Sequence, residues 1–144
     1  MPEVISTNIS TEKGTVKRPV AEGIELLEDH GARGDAHAGG GIRQLSMLAM
    51  ESIERMRALG ADVSPGDFAE NITTRGIELH TLPVGTRLRC GDTLLEVTQI
   101  GKKCHKGCEI LKQVGDCIMP REGIFVRIIK GGHVQPVQSI ALED

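Results

Sequence analysis

A mostly β fold, an antiparallel sheet or barrel carrying one or two helices, is what this sequence predicts, and three observations carry that reading. Glycine is abundant, 18 in 144 residues against an average near 7%, and it is spread along the whole chain. Short apolar stretches alternate with these glycines, as strands alternate with turns. Only one segment, Leu48 to Leu59, shows a helical period.

Taken in order, Val4 to Ile9 reads as a strand and Glu12-Lys13-Gly14-Thr15 as a turn. Gly23 to Glu28 is a second short strand. The run Gly31 to Gly41, with Arg33, Asp35 and His37 set between glycines, cannot pack a core and is a loop whose backbone can approach a ligand closely. In Leu48 to Leu59, Met50, Ile53, Met56 and Leu59 share a stripe. Glu51 and Glu54 stand early, Arg55 and Arg57 late, and Gly60 terminates. Pro65-Gly66-Asp67 opens another loop. Thr86 to Cys90, a Gly91-Asp92 turn and Thr93 to Ile100 form a hairpin. A second hairpin is expected to pair Ile124–Ile129 with Val134–Leu142 across Gly131-Gly132. No repeat or linker divides the chain, so one domain over 1–144 is expected.

Composition narrows the function. Lys and Arg number 17 against 20 Asp and Glu, a net charge of −3, and a protein held to nucleic acid by bulk charge shows the opposite excess. Two Phe and no Trp or Tyr leave few stacking platforms for single strands. No apolar run nears the roughly 20 residues that span a bilayer, and the first residues carry no secretory pattern. A cytoplasmic chain without nucleic-acid or membrane partners follows, with Cys90, Cys104, Cys108 and Cys117 as thiols.

Reactive side chains collect between the two hairpins. Lys102, Lys103, His105 and Lys106 lie within two residues of Cys104, and nearby positive charge lowers a thiol's pKa toward neutrality. Such a thiolate can attack a sulfur donor, carry a persulfide or bind a soft metal. An ordinary solvated loop is the plain alternative. Zinc on Cys104, Cys108 and Cys117 is another, although adjacent Cys104 and His105 seldom chelate one tetrahedral ion. Cys90 alternates with Leu88 along a strand, as a small buried hydrophobe does.

A second group comprises Arg33, Asp35, His37 and Arg43-Gln44, with Gly34 among the glycines between them. A glycine loop with arginine suits a phosphate or other oxyanion, while Asp35 capping a turn and His37 packing beneath it is the structural alternative. Asp67, Glu70 and Asn71 flank the Pro-Gly turn, where carboxylates either move protons or satisfy loop amides. Arg121, in Pro120-Arg121-Glu122-Gly123, is a further anion contact or part of a tight turn.

Several of these segments together resemble the MOSC domain, the module found at the C-terminus of molybdenum-cofactor sulfurases and as free-standing bacterial proteins. They are Gly34-Asp35-Ala36-His37-Ala38-Gly39, Arg43-Gln44-Leu45-Ser46, Pro65 to Thr73, Leu82-Pro83-Val84-Gly85-Thr86, Leu95 to Gln99, and Cys104. The resemblance runs from about Ile5 to Ile140. It implies a MOSC-like antiparallel β-barrel with one to three short helices. It also implies that Cys104 carries sulfur or contacts molybdenum. Arg43, the Gly34–Gly39 loop, Lys102 and Lys103 would hold the anionic cofactor. Asp67, Glu70 and Asn71 would line the site.

Two departures stand out. Gly101-Lys102-Lys103 replaces the Arg-x-Pro that many members place before the cysteine, which keeps charge but loses the bidentate fork. Pro136-Val137-Gln138-Ser139 replaces a Gly-Asp near the end. Cys108 and Cys117 are candidate resolving thiols for an oxidised or persulfidated Cys104. The sulfurases hold pyridoxal phosphate on a separate domain, so a partner cysteine desulfurase would load sulfur here, for delivery to molybdenum-cofactor enzymes. The resemblance also admits a molybdenum-cofactor-dependent reductase component acting on N-hydroxylated compounds.

Overall fold

The computed structural model describes residues 2–11, 17–36, 38–101 and 122–143. The strands are β1 (Glu3–Ile9), β2 (Arg18–Pro19), β3 (Ile24–Leu27), β4 (Gly31–Ala32), β5 (Leu45–Ala49), β6 (Ile72–Arg75), β7 (Arg87–Cys90), β8 (Thr93–Ile100), β9 (Ile124–Lys130), β10 (Gly132–Val134) and β11 (Ile140–Glu143). The α-helix α1 (Met50–Ala58) follows β5, and Leu79–Thr81 form a 3₁₀ turn. Eight strands make one sheet in the order β11-β7-β8-β9-β5-β6-β1-β2, and β10-β3-β4 make a second.

The mostly β expectation holds, but the described sheets do not close into a barrel. A single bridge, Glu3 to Ser139, joins the start of β1 to the residue before β11, which is a touching seam rather than a ladder. Among the described residues the one parallel pair is β5 with β6.

β5 explains how the layers are arranged. All five of its residues are buried, because each face meets a different core. Leu45 and Met47 join the larger cluster with Val4, Leu26, Leu88, Leu95 and Val126. Leu48 turns the other way, into a smaller cluster with Met50, Ile53, Met56, Val63 and Phe68. Strand alternation thus lets one strand floor both cores.

The helix is shorter than its apolar period suggested. Leu48 belongs to β5, and Leu59 is the C-cap residue, 61% exposed rather than on the buried stripe. Gly60, at φ 102°, ends the helix. The Gly60 amide donates to Arg57 O (3.0 Å) and the Ala61 amide to Met56 O (3.1 Å). That pairing is a Schellman motif, and buried Ala61 and Met56 supply its apolar contact.

The hairpin of β7 and β8 forms as expected, with Leu88 opposite Leu95 and Cys90 opposite Thr93. The expected second hairpin does not. β9 pairs with β8 on one edge and β5 on the other, so no edge remains for the chain after it. β10 instead pairs with β3, and β11 with β7. Gly131 marks the crossing: a side chain there would strike the Leu26 carbonyl oxygen. The expected turn at Glu12–Thr15 lies outside the described residues.

Candidate functional site

The end of the main sheet where β8 finishes and β9 begins carries the exposed cation of the glycine loop. Arg43 precedes β5 and is exposed. Its guanidinium lies over the Phe125 ring, 5.4 Å from the centroid, a cation–π contact. Its Nε donates to Gln99 Oε1 (3.0 Å), and Gln99 Nε2 donates to Gly101 O (2.9 Å). The Gly101 amide donates in turn to Gly123 O (2.6 Å). Thr98 Oγ1 donates to the Ile42 carbonyl. Gln99 therefore ties Arg43 to the two points between which residues 102–121 are strung. Among the described residues no carboxylate pairs with Arg43, so its charge is available to an anion.

Gly34, Gly39, Gly40 and Gly41 stand beside open space, with no atom near the position a Cβ would take. Gly34 and Gly41 adopt φ of 81° and 102°, which a side chain would strain. Buried Gln44 braces this loop. Its Nε2 donates to Asp29 Oδ1 (2.7 Å) and Gly41 O (2.9 Å), and its Oε1 accepts the Ile128 amide (2.9 Å).

Beneath the rim lies a polar floor. Asp35, whose side chain is fully buried, pairs with Lys17 Nζ at 2.7 Å and accepts the Ser10 amide (3.0 Å). Burial pushes the Asp35 carboxyl up, but Lys17, the Ser10 amide and Asn71 outweigh it and hold the group below the ordinary carboxylate range. Asn71 Oδ1 accepts the Ser46 amide (3.1 Å), and its Nδ2 donates to Asn8 O (3.1 Å). Asn8 Nδ2 reaches Glu70 O and Thr73 Oγ1, both at 3.2 Å.

Glu70 is completely buried. Its Oε2 accepts the Gly66 amide (3.0 Å) and Thr73 Oγ1–H (2.7 Å), while Oε1 has no partner among the described residues. Burial raises its pKa to about 6, and the two donors only moderate that rise. Asp67 is spent locally, its Oδ2 accepting the Ser64 amide (2.8 Å).

Of the residues the sequence singled out, Asp35 and Asn71 meet in this floor, with Glu70 alongside through Asn8 and Thr73. Arg43 and Gly34 stand at the surface, and Asp67 belongs to the Ser64 turn. Cys104, Lys102, Lys103, Cys108, Cys117, Arg121 and His37 lie outside the described residues. Lys17, Asn8, Ser46, Gln99 and Phe125 were not anticipated as site-forming. Lysine is rarely buried without a partner, and Asp35, 18 positions away, is a partner no local pattern reveals.

An anionic molybdenum cofactor has two ends to seat, a phosphate and a metal. A phosphate end fits: Arg43 is exposed and meets no carboxylate among the described residues, and the glycines beside it leave room. The metal end finds no donor among the described residues. Cys90 is buried, burial lifting its thiol to about 11, and no cluster of three His, Cys, Asp or Glu is present there.

An open, β-rich module with an arginine-lipped glycine loop above a buried polar floor is the class these features define. The chain belongs to the MOSC domain family, whose model matches residues 34–141. Among solved structures it is similar to the YuaD protein of Bacillus subtilis, at 17% identity over 97% of this chain and 94% of that one, with a TM-score of 0.80. It is similar as well to YiiM of Geobacillus stearothermophilus, at 18% identity over 100% of this chain and 76% of that one, TM-score 0.73. YiiM of Escherichia coli gives 21% identity over 99% and 68%, TM-score 0.66. At these identities the likeness is one of fold. Comparison with the curated proteins finds no match. No helix among the described residues is long and apolar enough to cross a membrane.

Proposed function

We propose that this chain handles the molybdenum cofactor, with Cys104 as sulfur carrier or molybdenum contact and Arg43 and the Gly34–Gly41 loop as the seat of the cofactor's phosphate. The observation that carries this reading is the exposed Arg43 guanidinium, held by Phe125 and Gln99 and without a carboxylate partner among the described residues, with Gln99 also holding Gly101. Cys104 follows Gly101 by three residues, so covalent geometry keeps it within about 11 Å of that anchor. Lys102, Lys103 and Lys106 around it favour the thiolate. The bound cofactor would supply a metal centre for sulfur exchange or redox chemistry; the chain supplies the anion seat, the thiol and the cationic field. Asp35, Glu70 and Asn71 hold the floor on which that seat rests.

The sulfur step balances as a thiol exchange. The Cys104 thiolate attacks the outer sulfur of a desulfurase persulfide, forming one S–S bond and breaking another, and the donor leaves as a thiolate while the transferred sulfur keeps its proton. The test is intact mass after incubation with a cysteine desulfurase and cysteine. A gain of one sulfur atom that vanishes in Cys104→Ser supports carriage, and a wild-type protein that gains none refutes it. Molybdenum analysis of protein made in a molybdenum-replete host tests the cofactor seat. Retention that falls with Arg43→Ala supports it; no molybdenum at any stoichiometry counts against it.

A further inference from the structure

The seam between β1 and β11 is zipped over only part of its length. The Val4 amide donates to Gln138 O (2.9 Å), the Val137 amide to Val4 O (2.7 Å) and the Ile140 amide to Pro2 O (3.0 Å). Beyond Ile140, β11 has β7 on one side and no strand on the other among the described residues. Successive residues of an antiparallel strand point their backbone groups alternately toward and away from the partner. Ile140 turns its N–H away from β7 to Pro2, so Leu142, two residues on, presents its N–H and C=O to the open edge.

A groove of about 930 Å³ lies along this stretch, between Leu142 and the turn that carries Ile77 and Leu82, with α1 at its back. Leu142 is 56% exposed. The groove's lining includes Glu51 and Glu78 on one side of the charge balance and Arg55 and His80 on the other. Its arginine, Arg55, is paired with Glu122. Glu51 accepts the Gly76 amide (2.9 Å) on Oε2, and neither Glu51 nor Glu78 has a cationic partner among the described residues. At the edge itself Glu143 is already neutralised by Arg89 (3.0 Å).

An open strand edge beside an apolar-floored groove is the arrangement that captures extended peptides by adding a strand, with main-chain bonds for affinity and side-chain seats for selectivity. We infer that this groove takes an extended peptide of another protein, apolar at its centre and flanked by lysine or arginine, added beyond β11 at Leu142. Its apolar side chains sit against Leu142, Leu82 and Ile77, and a flanking cation meets the exposed Glu78. This inference is independent of the cofactor reading, since none of these residues belongs to the Arg43 rim.

The test uses a fluorescein-labelled Lys-Val-Leu-Val-Lys peptide, blocked at both ends, and its Glu-Val-Leu-Val-Glu counterpart, followed by fluorescence anisotropy with the full chain. The lysine peptide is expected to bind at least tenfold more tightly than the glutamate one. Leu142→Pro removes the outward N–H without touching the β7 ladder, and Glu78→Lys reverses a rim charge; each is expected to weaken binding at least tenfold. Unchanged circular dichroism and melting temperature establish that both variants fold, and backbone amide shifts confined to Leu82 and Leu142 give a readout independent of them. No binding of the lysine peptide at millimolar protein, or binding indifferent to Leu142→Pro and Glu78→Lys, overturns the inference. So does a concentration-dependent dimer abolished by Leu142→Pro, which would assign the edge to a second copy.

Discussion

Two carboxylates lie buried in one polar floor, and their surroundings drive them in opposite directions. Asp35 faces a buried ammonium, Lys17, and is held as an anion. Glu70 faces only neutral donors, the Gly66 amide and the Thr73 hydroxyl, and is pushed toward its protonated form. Glu70 lies the deeper of the two and Asp35 has the counter-charge, and both differences push the same way. Hydrogen bonds from neutral groups reduce the desolvation penalty of an anion, whereas an opposite ion at contact distance can reverse its effect.

The largest expected effect comes from breaking the ion pair. Asp35→Ala removes the carboxylate that faces the buried Lys17 ammonium and is expected to cost about 3–5 kcal/mol in urea unfolding at pH 7. Replacing both members together, as Lys17→Met with Asp35→Leu, should recover most of that loss. If the double variant is as unstable as the single one, loss of the ion pair is not the cause.

Glu70 gives a smaller effect and a characteristic sign. Its folded pKa lies above the ordinary 4.5, so the stability associated with its protonated form is present below about pH 4.5 and is lost as pH rises through about 6. A shift from 4.5 to about 6 corresponds to about 2 kcal/mol. Glu70→Gln should remove that fall between pH 4.5 and 7. Asp35 works the other way: with its folded pKa depressed, its contribution is full above pH 3.8 and is lost as pH falls through the lower folded value. Unfolding curves at closely spaced pH values separate the two, and an unchanged slope in Glu70→Gln would break the contrast.

What the sequence made legible divides along range. The β7–β8 hairpin is local: alternation at Leu88, Cys90, Leu95 and Val97 and a Gly91-Asp92 turn suffice to register it. The Gly60 helix stop is equally local. β9 to β11 were misjudged because adjacent apolar runs suggest a hairpin, while the actual pairings reach back to β3, β5 and β7 and depend on which sheet edges are already filled. At the site, the exposed Arg43 and the open glycines could be read from residue type. The Asn8, Ser46, Asn71 and Lys17 floor could not, since polar residues in a strand ordinarily signal a solvent face and only tertiary pairing tells otherwise.

Backbone strain next to Glu70 offers a way to sharpen the comparison. Ala69 adopts φ 62°, a left-handed conformation costing a residue with a Cβ about 1–2 kcal/mol. Its carbonyl oxygen accepts Ser46 Oγ–H at 3.0 Å, so the turn is held in place from outside. Ala69→Gly is expected to stabilise the fold by about 1 kcal/mol, equally at pH 4.5 and 7. A pH-dependent gain would mean that turn strain, rather than desolvation, sets the Glu70 pKa.

Arg43 provides the smallest stability effect. Its guanidinium is exposed and, among the described residues, is held by Gln99 and Phe125, so Arg43→Ala should change the unfolding free energy by no more than about 0.5 kcal/mol. That near-neutrality is what makes it a probe of the rim rather than the floor. Phosphate titrated into the wild type should shift the Gln99 and Phe125 amide resonances, and Arg43→Ala should abolish the shift while its melting curve still overlays the parent. Arg43→Lys separates charge from shape: a bare positive charge would retain most of the response, whereas a seat that depends on the planar fork and its stacking over Phe125 would lose it. Loss of stability beyond about 1 kcal/mol in Arg43→Ala would place this residue among the structural ones with Lys17, and the division between a rigid polar floor and a cationic seat for anions would no longer stand.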